Sequence, residues 1–424
     1  MRSALRLALS AWLLLSGGLA AAGPEPVATI ELAADRVAEI RFVGNRITRP
    51  KVMLRELPFA VGERIDVGAV ERGRQAILDL GLFKAVTAER GQEPQGLVIT
   101  YTVQEKFYVL PTPRLDANGD GQFAYGAQLS WDNLWGLDHS LLVYGQQRDQ
   151  QVQGVGKETQ YFLGYFAPFV GDSRWSLGFN AGYRERPVFT PEGAYEESFE
   201  SAQVLATRRL SSGPPSQGWK FGTGLYWQRQ DTSGRVPPYG QATAPVLSLS
   251  YRDLRFHVYS EEGLQAGARL EAAREGLASD YDYARLGVGA TRFLEPGGTA
   301  HQNLNLRGDL GLNWQGPVGH RSYSLGGSYI LRGYDPDFLE GDAYYRVAAE
   351  YLRPIGWRWL RLLVIAEAGA VGSGPGDLPD QRIYSSLGLG LRLRLPAFVN
   401  FEVEAGVALP LSGGGGLRVF GSRV

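Results

Sequence analysis

From about residue 106 onward, apolar and polar residues alternate along the chain in segments separated by short polar turns. Because successive side chains of a strand point to opposite faces, this alternation predicts β-strands with one apolar and one polar face. The segment SLGLGLRLRLP sets leucines against glycines and against Arg392 and Arg394. In the segment NLNLRGDLGLNW, the large apolar side chains share one face: Leu304, Leu306, Leu310, Leu312 and Trp314.

The alternating segments are numerous enough to close into a barrel. The polar faces are rich in Arg, Glu and Gly, and tryptophans gather at strand ends, which favours a transmembrane barrel over a soluble sandwich. An even number of strands places both ends of a barrel on the same side of the membrane. We therefore expect a 16-stranded antiparallel transmembrane β-barrel over residues 107–424, with strands starting near residues 106, 122, 138, 158, 174, 198, 219, 243, 262, 281, 302, 343, 361, 381, 400 and 415.

Residues 36–106 have a different pattern, which predicts a small domain ahead of the barrel. The stretch VAEIRFVGN alternates as a strand does, and TRPKVMLRELPF and DVGAVERGRQAILDLGLF have apolar residues at helical spacing. FKAVTAERG and GLVITYTVQE then read as two strands joined by a turn. The predicted order is β-α-α-β-β.

The start of the chain and its composition narrow the class further. Residues 1–22 combine early arginines, a short apolar run and three alanines, which is typical of a secretory signal peptide; a membrane-anchoring helix is the alternative. Residues 23–35 are then a linker. The formal net charge of −1 gives no basic footprint for a nucleic-acid partner, and the absence of cysteine excludes a disulfide framework.

The small domain resembles a POTRA domain. The resemblance rests on IRFVGNRIT, ELPFAVGERID and LGLFKAVTAE in that order. It implies a periplasmic module that binds unfolded or extended polypeptide by adding it to a sheet edge, where unpaired backbone groups are available.

The loop before the twelfth predicted strand carries a glycine pair, Gly326-Gly327, followed by the motif Arg332-Gly333-Tyr334. This pattern resembles the signature of the Omp85 superfamily of outer-membrane assembly and translocation proteins. The resemblance implies that loop 316–342 folds back into the barrel and that its arginine contacts an acidic residue on the inner wall. Arg332 would be that arginine and Glu367 its partner; the alternative is a solvated Arg332 unrelated to Glu367. The matching loop residues are Gly326, Gly327, Arg332, Gly333 and Tyr334.

The resemblance also implies a lateral seam between the first and last strands. The predicted first strand, KFYVLPTPRL, holds Pro111 and Pro113, which cannot donate to a ladder. Alternatively, these prolines belong to the linker and the barrel starts later. The predicted last strand carries Phe420 and Val424.

The function implied is to assist insertion or translocation of polypeptides through that seam at the outer membrane of a Gram-negative-type cell. A passive or loop-constricted pore, a structural barrel and a lipid-handling barrel remain alternatives. The implied partners are the lipid bilayer, extended polypeptides at the POTRA edge and the seam, and accessory lipoproteins. We expect no enzyme, cofactor or metal site, because the sequence lacks nucleophile-elbow, zincin and phosphate-loop motifs and the four histidines lack ligand spacing.

Overall fold

The computed structural model describes residues 35–117, 123–149, 157–190, 193–233, 240–316, 322–413 and 416–423. The predicted signal peptide, nearly all of the linker and Val424 lie outside these residues. In the described part, a small mixed domain precedes one large antiparallel sheet. Neither helix there is long and apolar enough to cross a membrane.

The small domain packs two helices on a four-stranded sheet of order β2-β1-β4-β3, in which β1 and β4 are parallel. The prediction missed one element, β2, because two residues are too few to show an alternating pattern. Its pairing with β1 extends the sheet by one short edge strand. The elements are β1 Asp35–Val43, α1 Pro50–Leu54, β2 Arg64–Ile65, α2 Ala69–Leu78, β3 Phe83–Glu93 and β4 Gly96–Glu105.

The second part is a sixteen-stranded sheet whose strands follow one another in chain order, so the predicted number and antiparallel arrangement are confirmed. The strands are β5 Val109–Ala117, β6 Phe123–Leu134, β7 His139–Arg148, β8 Glu158–Ala167, β9 Trp175–Thr190, β10 Gly193–Arg209, β11 Gly218–Thr232, β12 Gly240–Phe256, β13 Glu261–Ala273, β14 Tyr283–Leu294, β15 Asn303–Trp314, β18 Ala343–Ile355, β19 Trp357–Gly372, β20 Tyr384–Arg394, β21 Glu402–Pro410 and β22 Arg418–Arg423. Two short strands, β16 Tyr323–Leu325 and β17 Leu339–Gly341, pair with each other in the loop between β15 and β18. Strands β5 and β22 form the two ends of the large sheet.

The two faces of this sheet differ as the alternation predicts. Leu387, Leu389 and Leu391 of β20 are 44–53% exposed on the outer face, whereas Arg392 of the same strand is buried on the inner face. Apolar side chains therefore cover the outside, and charged side chains are enclosed and paired in the lumen, as a barrel in a lipid bilayer requires.

The small domain is seated on the turns at one end of the barrel. The backbone amide of Arg49 donates to the carbonyl of Gly136, 2.9 Å away, in the turn between β6 and β7. At the opposite side of the domain, the amide of Phe256 in β12 donates to the Asp79 carboxylate over 2.7 Å. Val399, from the turn between β20 and β21, joins the hydrophobic core of the domain. The domain thus lies across the barrel mouth.

Candidate functional site

The loop between the eleventh and twelfth barrel strands, β15 and β18, folds into the lumen. It contains a short hairpin of β16, Tyr323–Leu325, and β17, Leu339–Gly341. Leu325, Leu331 and Tyr334 are buried in one cluster against side chains of the barrel wall. The loop is therefore a packed part of the barrel interior.

Two consecutive glycines begin the turn that follows β16. Gly326 and Gly327 have φ angles of 129° and 105°, a region that side-chain-bearing residues rarely adopt. A Cβ at Gly326 would also collide with the carbonyl oxygen of Asp335. Their amides donate to the carbonyls of Ile330 and Tyr334 over 3.1 and 3.0 Å, which closes the loop on itself. The glycine pair sets the position of the arginine that follows.

Gly333 allows the loop to approach the wall closely. A Cβ at this position would lie 2.6 Å from the Cβ of Ser386 and 3.0 Å from the backbone nitrogen of Pro410. The neighbouring Tyr334 packs against Phe338 and donates its hydroxyl to the carbonyl of Ser385 over 2.9 Å. The glycine and the tyrosine together hold the loop against β20 and β21.

Arg332 contacts three carboxylates that come from three different strands. Its backbone amide and Nη1 donate to Glu367 of β19 over 2.7 and 2.9 Å. Its Nη2 donates to Glu350 of β18 over 2.8 Å, and its Nε donates to Glu404 of β21 over 3.1 Å. Arg332 is 6% exposed, and Glu367 and Glu404 are 3% and 1% exposed. One guanidinium has five donors, which is why it can serve several carboxylates at once.

Two wall arginines balance the remaining negative charge. Arg346 of β18 donates to Glu367 over 2.8 Å, and Arg392 of β20 donates to Glu350 and Glu404 over 2.8 and 2.6 Å. Three arginines therefore face three glutamates in a largely buried network. We call these six residues the lumen ion network: Arg332, Arg346, Glu350, Glu367, Arg392 and Glu404.

The loop also contacts the last strand of the barrel. Arg418 of β22 forms a two-fold ion pair with Asp335, with Nη2 to Oδ2 at 2.6 Å. The Arg332 guanidinium lies 5.6 Å from the centre of the Phe420 ring. Phe420 points into the lumen and is 2% exposed. The loop thereby attaches β22 to the preceding strands of the wall.

Pro111 and Pro113 lie inside β5, so the barrel does not start after them. The amide of Asp132 in β6 donates to the carbonyl of Tyr108 over 2.7 Å, whereas the amide of Phe107 donates to Ala397, in the turn after β20, over 2.7 Å. Even-numbered residues of β5 consequently bond to β6, and odd-numbered residues face the opposite, open edge. Both prolines face that edge.

The structure places Arg332 beside Glu367, the partner that the resemblance implied for it. The sequence reasoning missed the other four members of the lumen ion network. One sequence signal could have found Glu350 and Glu404. Each belongs to the inward-facing, polar set of residues of its own strand, as Arg392 does. Within the described ranges, no group of three or more His, Asp or Glu residues is arranged to hold a metal ion.

A buried carboxyl secures the seat of the small domain. Glu56, two residues after the end of α1, is fully buried and accepts hydrogen bonds from the amide and hydroxyl of Ser216 at 3.1 and 2.9 Å. Ser216 lies in the turn between β10 and β11. Burial raises the pKa of the Glu56 carboxyl above its ordinary value. Next to it, Arg55 pairs with Asp138 at 2.9 Å.

Comparison with known families agrees with this arrangement. The POTRA family model, described as a surface antigen variable number repeat, matches residues 36–106. The Omp85 superfamily domain matches residues 133–413, which is more than half of the chain. The chain belongs to the Omp85 superfamily.

Particular relatives share part of the sequence or the fold. The outer membrane protein assembly factor BamA of Nitratidesulfovibrio vulgaris is 33% identical over 84 residues, 20% of this chain and 10% of that protein. The chain thus matches about a tenth of the length of this curated relative. BamA from Haemophilus ducreyi lacking POTRA domains 1–3 aligns with a TM-score of 0.53 at 18% identity, covering 92% of this chain and 84% of that chain. CdiB from Escherichia coli aligns with a TM-score of 0.63 at 14% identity, covering 92% and 76%.

Proposed function

We propose that this protein assists insertion or translocation of polypeptides at the outer membrane, through a lateral seam between β5 and β22. The observation that carries the proposal is the open edge of β5. Pro111 and Pro113 occupy two neighbouring edge positions there, and neither has an N–H to donate. A seam closed over these positions lacks the ladder bonds that hold the other strands together, so it opens at lower cost.

The position of the small domain supports the same proposal. We assign the end of the barrel where β5 begins, on which the domain is seated, to the periplasmic side, where exported chains arrive. Its sheet ends in the long edge strand β3, whose outer edge is available to an extended chain. Accessory lipoproteins would bind the same side. A relative that is named as an outer membrane protein assembly factor agrees with this reading.

The seam can be tested by locking it. The natural chain has no cysteine, so Val109→Cys with Gly421→Cys provides two thiols that a bis-maleimide can bridge across the seam. The control bridge joins Val109→Cys to Trp131→Cys, a cross-strand pair of β5 and β6 that leaves the seam free. In proteoliposomes, we expect the seam bridge to stop the folding of an added urea-unfolded barrel protein, and the control bridge to leave its rate unchanged. Equal rates for both bridges would remove the basis of the proposal.

A further inference from the structure

A loop of the small domain lies directly against the barrel turn between β6 and β7. This loop, residues 44–51, follows β1 and includes the start of α1. The Nε of Arg49 donates to the carbonyl of Trp135 over 3.0 Å, and a Cβ on Gly136 would collide with the carbonyl oxygen of Ile47. The loop and the turn therefore lie at the same level of the molecule.

That level is the edge of the lipid-facing surface. Trp135 is 62% exposed and packs edge-on against His139, whose Nδ1 lies 2.8 Å from the hydroxyl of Tyr165. His139 and Tyr165 lie on the outer face of their strands, as Val143 and Leu163 do, because an even number of residues separates each from its apolar neighbour. Amphipathic aromatic rings at the ends of membrane strands lie at the level of the lipid headgroups. Trp135 therefore marks the bilayer surface on the domain's side.

The backbone of the loop is held by the rest of the protein. The Glu105 carboxylate accepts hydrogen bonds from the amides of Arg46, Ile47 and Thr48 over 2.6–3.2 Å. The buried hydroxyl of Thr48 accepts from the Nδ2 of Asn133 over 2.8 Å. The loop is consequently ordered before anything binds to it, so binding at its outer side costs little conformational entropy.

The exposed side chains of the loop include one isoleucine and three cations. Ile47 is 55% exposed, and Arg46, Arg49 and Lys51 are exposed as well. Lys51 pairs over 2.8 Å with Asp172, an exposed residue of the turn between β8 and β9. Because this carboxylate offsets one of the three positive charges, the other two remain for a ligand.

The positive charge continues along the same edge of the barrel. Arg174 is exposed at the start of β9, next to Trp175, which is 39% exposed. Arg208 of β10 is paired across the sheet with Trp175, and its guanidinium lies 5.8 Å from the centre of the tryptophan ring. Cations beside an aromatic belt are typical of the surface of an anionic bilayer. The loop of the domain extends this surface beyond the barrel wall.

We infer that the loop of residues 44–51 is a lipid-binding surface, which holds the small domain against the bilayer by binding the anionic headgroups of phospholipids in the leaflet on the domain's side. The guanidinium groups of Arg46 and Arg49 match phosphate oxygens in charge and geometry. Ile47 enters the interface beside Trp135, since stable attachment to a membrane surface requires an apolar contribution as well as an electrostatic one. The inference goes beyond the proposed function, because it needs neither a client nor a seam.

A fluorescent label at residue 47 tests this contact. The natural chain has no cysteine, so Ile47→Cys carries a single environment-sensitive fluorophore in the full-length chain. The labelled chain is placed in bilayers of phosphatidylcholine with or without phosphatidylglycerol, and quenching by acrylamide, a neutral water-soluble molecule, is measured. We expect quenching to be several-fold weaker in the bilayers that contain phosphatidylglycerol. Equal quenching in the two bilayers would overturn the inference.

A second labelling position provides the control. Val67 is 59% exposed next to β2, which pairs with the start of β1, whereas the loop follows the end of that strand. A fluorophore on Val67→Cys should therefore be quenched equally in both bilayers. Weaker quenching at Val67→Cys as well would mean that the whole domain responds to the lipid, and the assignment to this loop would fall.

Salt and free anions separate a lipid headgroup from other sources of negative charge. Raising the salt concentration from about 0.1 M to about 1 M shortens the Debye length from about 10 Å to about 3 Å, and it should restore quenching at residue 47. Inorganic phosphate or polyglutamate, added to pure phosphatidylcholine bilayers, should give no protection. Protection by either anion would assign the loop to a soluble phosphate or an acidic polypeptide, and would overturn the inference.

Removing two cations from the loop provides an independent test. Arg46→Gln together with Lys51→Gln leaves the hydrogen bond between Arg49 and Trp135 in place. Native mass spectrometry counts the phosphatidylglycerol molecules that the full-length chain retains on extraction from mixed bilayers. We expect this variant to retain several-fold fewer than the natural chain, because each cation near an anionic surface strengthens the attraction.

The matched control removes two cations from the other end of β1. Arg64→Gln together with Arg72→Gln changes the net charge equally, and Arg72, like Lys51, is paired with an exposed aspartate, Asp66. We expect the control to retain as much phosphatidylglycerol as the natural chain, with the gel mobility of the folded barrel preserved in both variants. Equal lipid retention by the two double variants would contradict the inference.

Discussion

Arg332 links three strands of the barrel wall from inside the lumen. Its side chain reaches Glu350, Glu367 and Glu404, which belong to three separate strands. A carboxylate buried without a cation is costly, so each of these glutamates depends on the arginines around it. A loop that withdrew from the lumen would leave Glu367 with Arg346, and Glu350 and Glu404 with Arg392. The wall network can therefore persist without the loop, but only with fewer bonds to each carboxylate.

Removing the Arg332 guanidinium should destabilise the barrel. For Arg332→Ala we expect a loss of about 3–5 kcal/mol of unfolding free energy, the usual range when one partner of a buried ion pair is removed. Arg332→Lys should lose nearly as much, because one ammonium cannot meet carboxylates in three directions as the planar guanidinium does. Urea unfolding in liposomes, followed by the gel-mobility difference between folded and unfolded barrel, measures both. A lysine variant as stable as the natural chain would contradict the three-strand role.

Exchanging the charges of Arg332 and Glu367 should not restore stability. In the double variant Arg332→Glu with Glu367→Arg, the new glutamate lies against Glu350 and Glu404, and the new arginine lies against Arg346. Like charges at these distances repel strongly in a buried site. A double-mutant cycle on the unfolding free energy would show whether the two changes compensate. Full compensation would mean that Arg332 and Glu367 act as an isolated pair.

At the scale of elements, the loop between β15 and β18 is fixed in the lumen by close packing against the wall as well as by ion pairs. Gly333→Ala places a methyl group 2.6 Å from the Cβ of Ser386, so the loop must move away from the wall. We expect a loss of about 1–3 kcal/mol, typical of an overpacked site, together with faster proteolysis in the loop. Gly308→Ala is the matched control, since a Cβ on that β15 residue meets nothing within 4 Å. Equal effects of the two substitutions would show that the close approach is unimportant.

Strands were predictable from the sequence to the extent that one face is apolar and the other polar. β20 and β15 alternate cleanly, and their positions differ little from those predicted. β2 was missed because its only signal is the buried Ile65 beside the exposed Arg64. The pairing partners of Arg332 were incompletely predicted for a different reason. Alternation tells which residues of a strand point inward, but not which inward residues of distant strands lie at the same height.

At the scale of the whole molecule, the small domain and the barrel form one packed unit. The domain contributes Asp79 to β12 and Glu56 to the turn before β11, and it receives Val399 into its core. None of these contacts could be predicted from the sequence, because each joins segments that are separated by more than a hundred residues. Only the chain order of the two parts was evident.

The seating of the domain should depend on pH. Burial raises the pKa of Glu56 above the ordinary 4.5, so the seated state binds a proton more readily than the released state. In the seated state, the free-energy cost of burying a charged Glu56 is fully present at high pH. This cost is relieved as the pH falls through the raised pKa. We therefore expect firmer seating at about pH 5 than at about pH 8. Spin labels on Val61→Cys in the domain and Leu210→Cys in a barrel turn, both exposed positions, would report this as a narrower distance distribution.

The neutral variant provides the control for this pH effect. Glu56→Gln keeps a side-chain oxygen that can accept from Ser216 but has no charge to bury. We expect this variant to remain seated at both pH values. A pH response equal to that of the natural chain would assign the effect to another group, such as Asp138, whose pKa is also raised by burial.

Only three residues separate the last strand of the domain from the first strand of the barrel, since β4 ends at Glu105 and β5 begins at Val109. All three are engaged: Lys106 lies 4.6 Å from the centre of the Phe256 ring, Phe107 bonds to Ala397, and the Tyr108 hydroxyl lies 2.9 Å from that of Thr48. The connection between the domain and the barrel is therefore short, and each of its residues is fixed by a contact. A force applied to the sheet of the domain is consequently transmitted directly to β5, the barrel strand that carries Pro111 and Pro113.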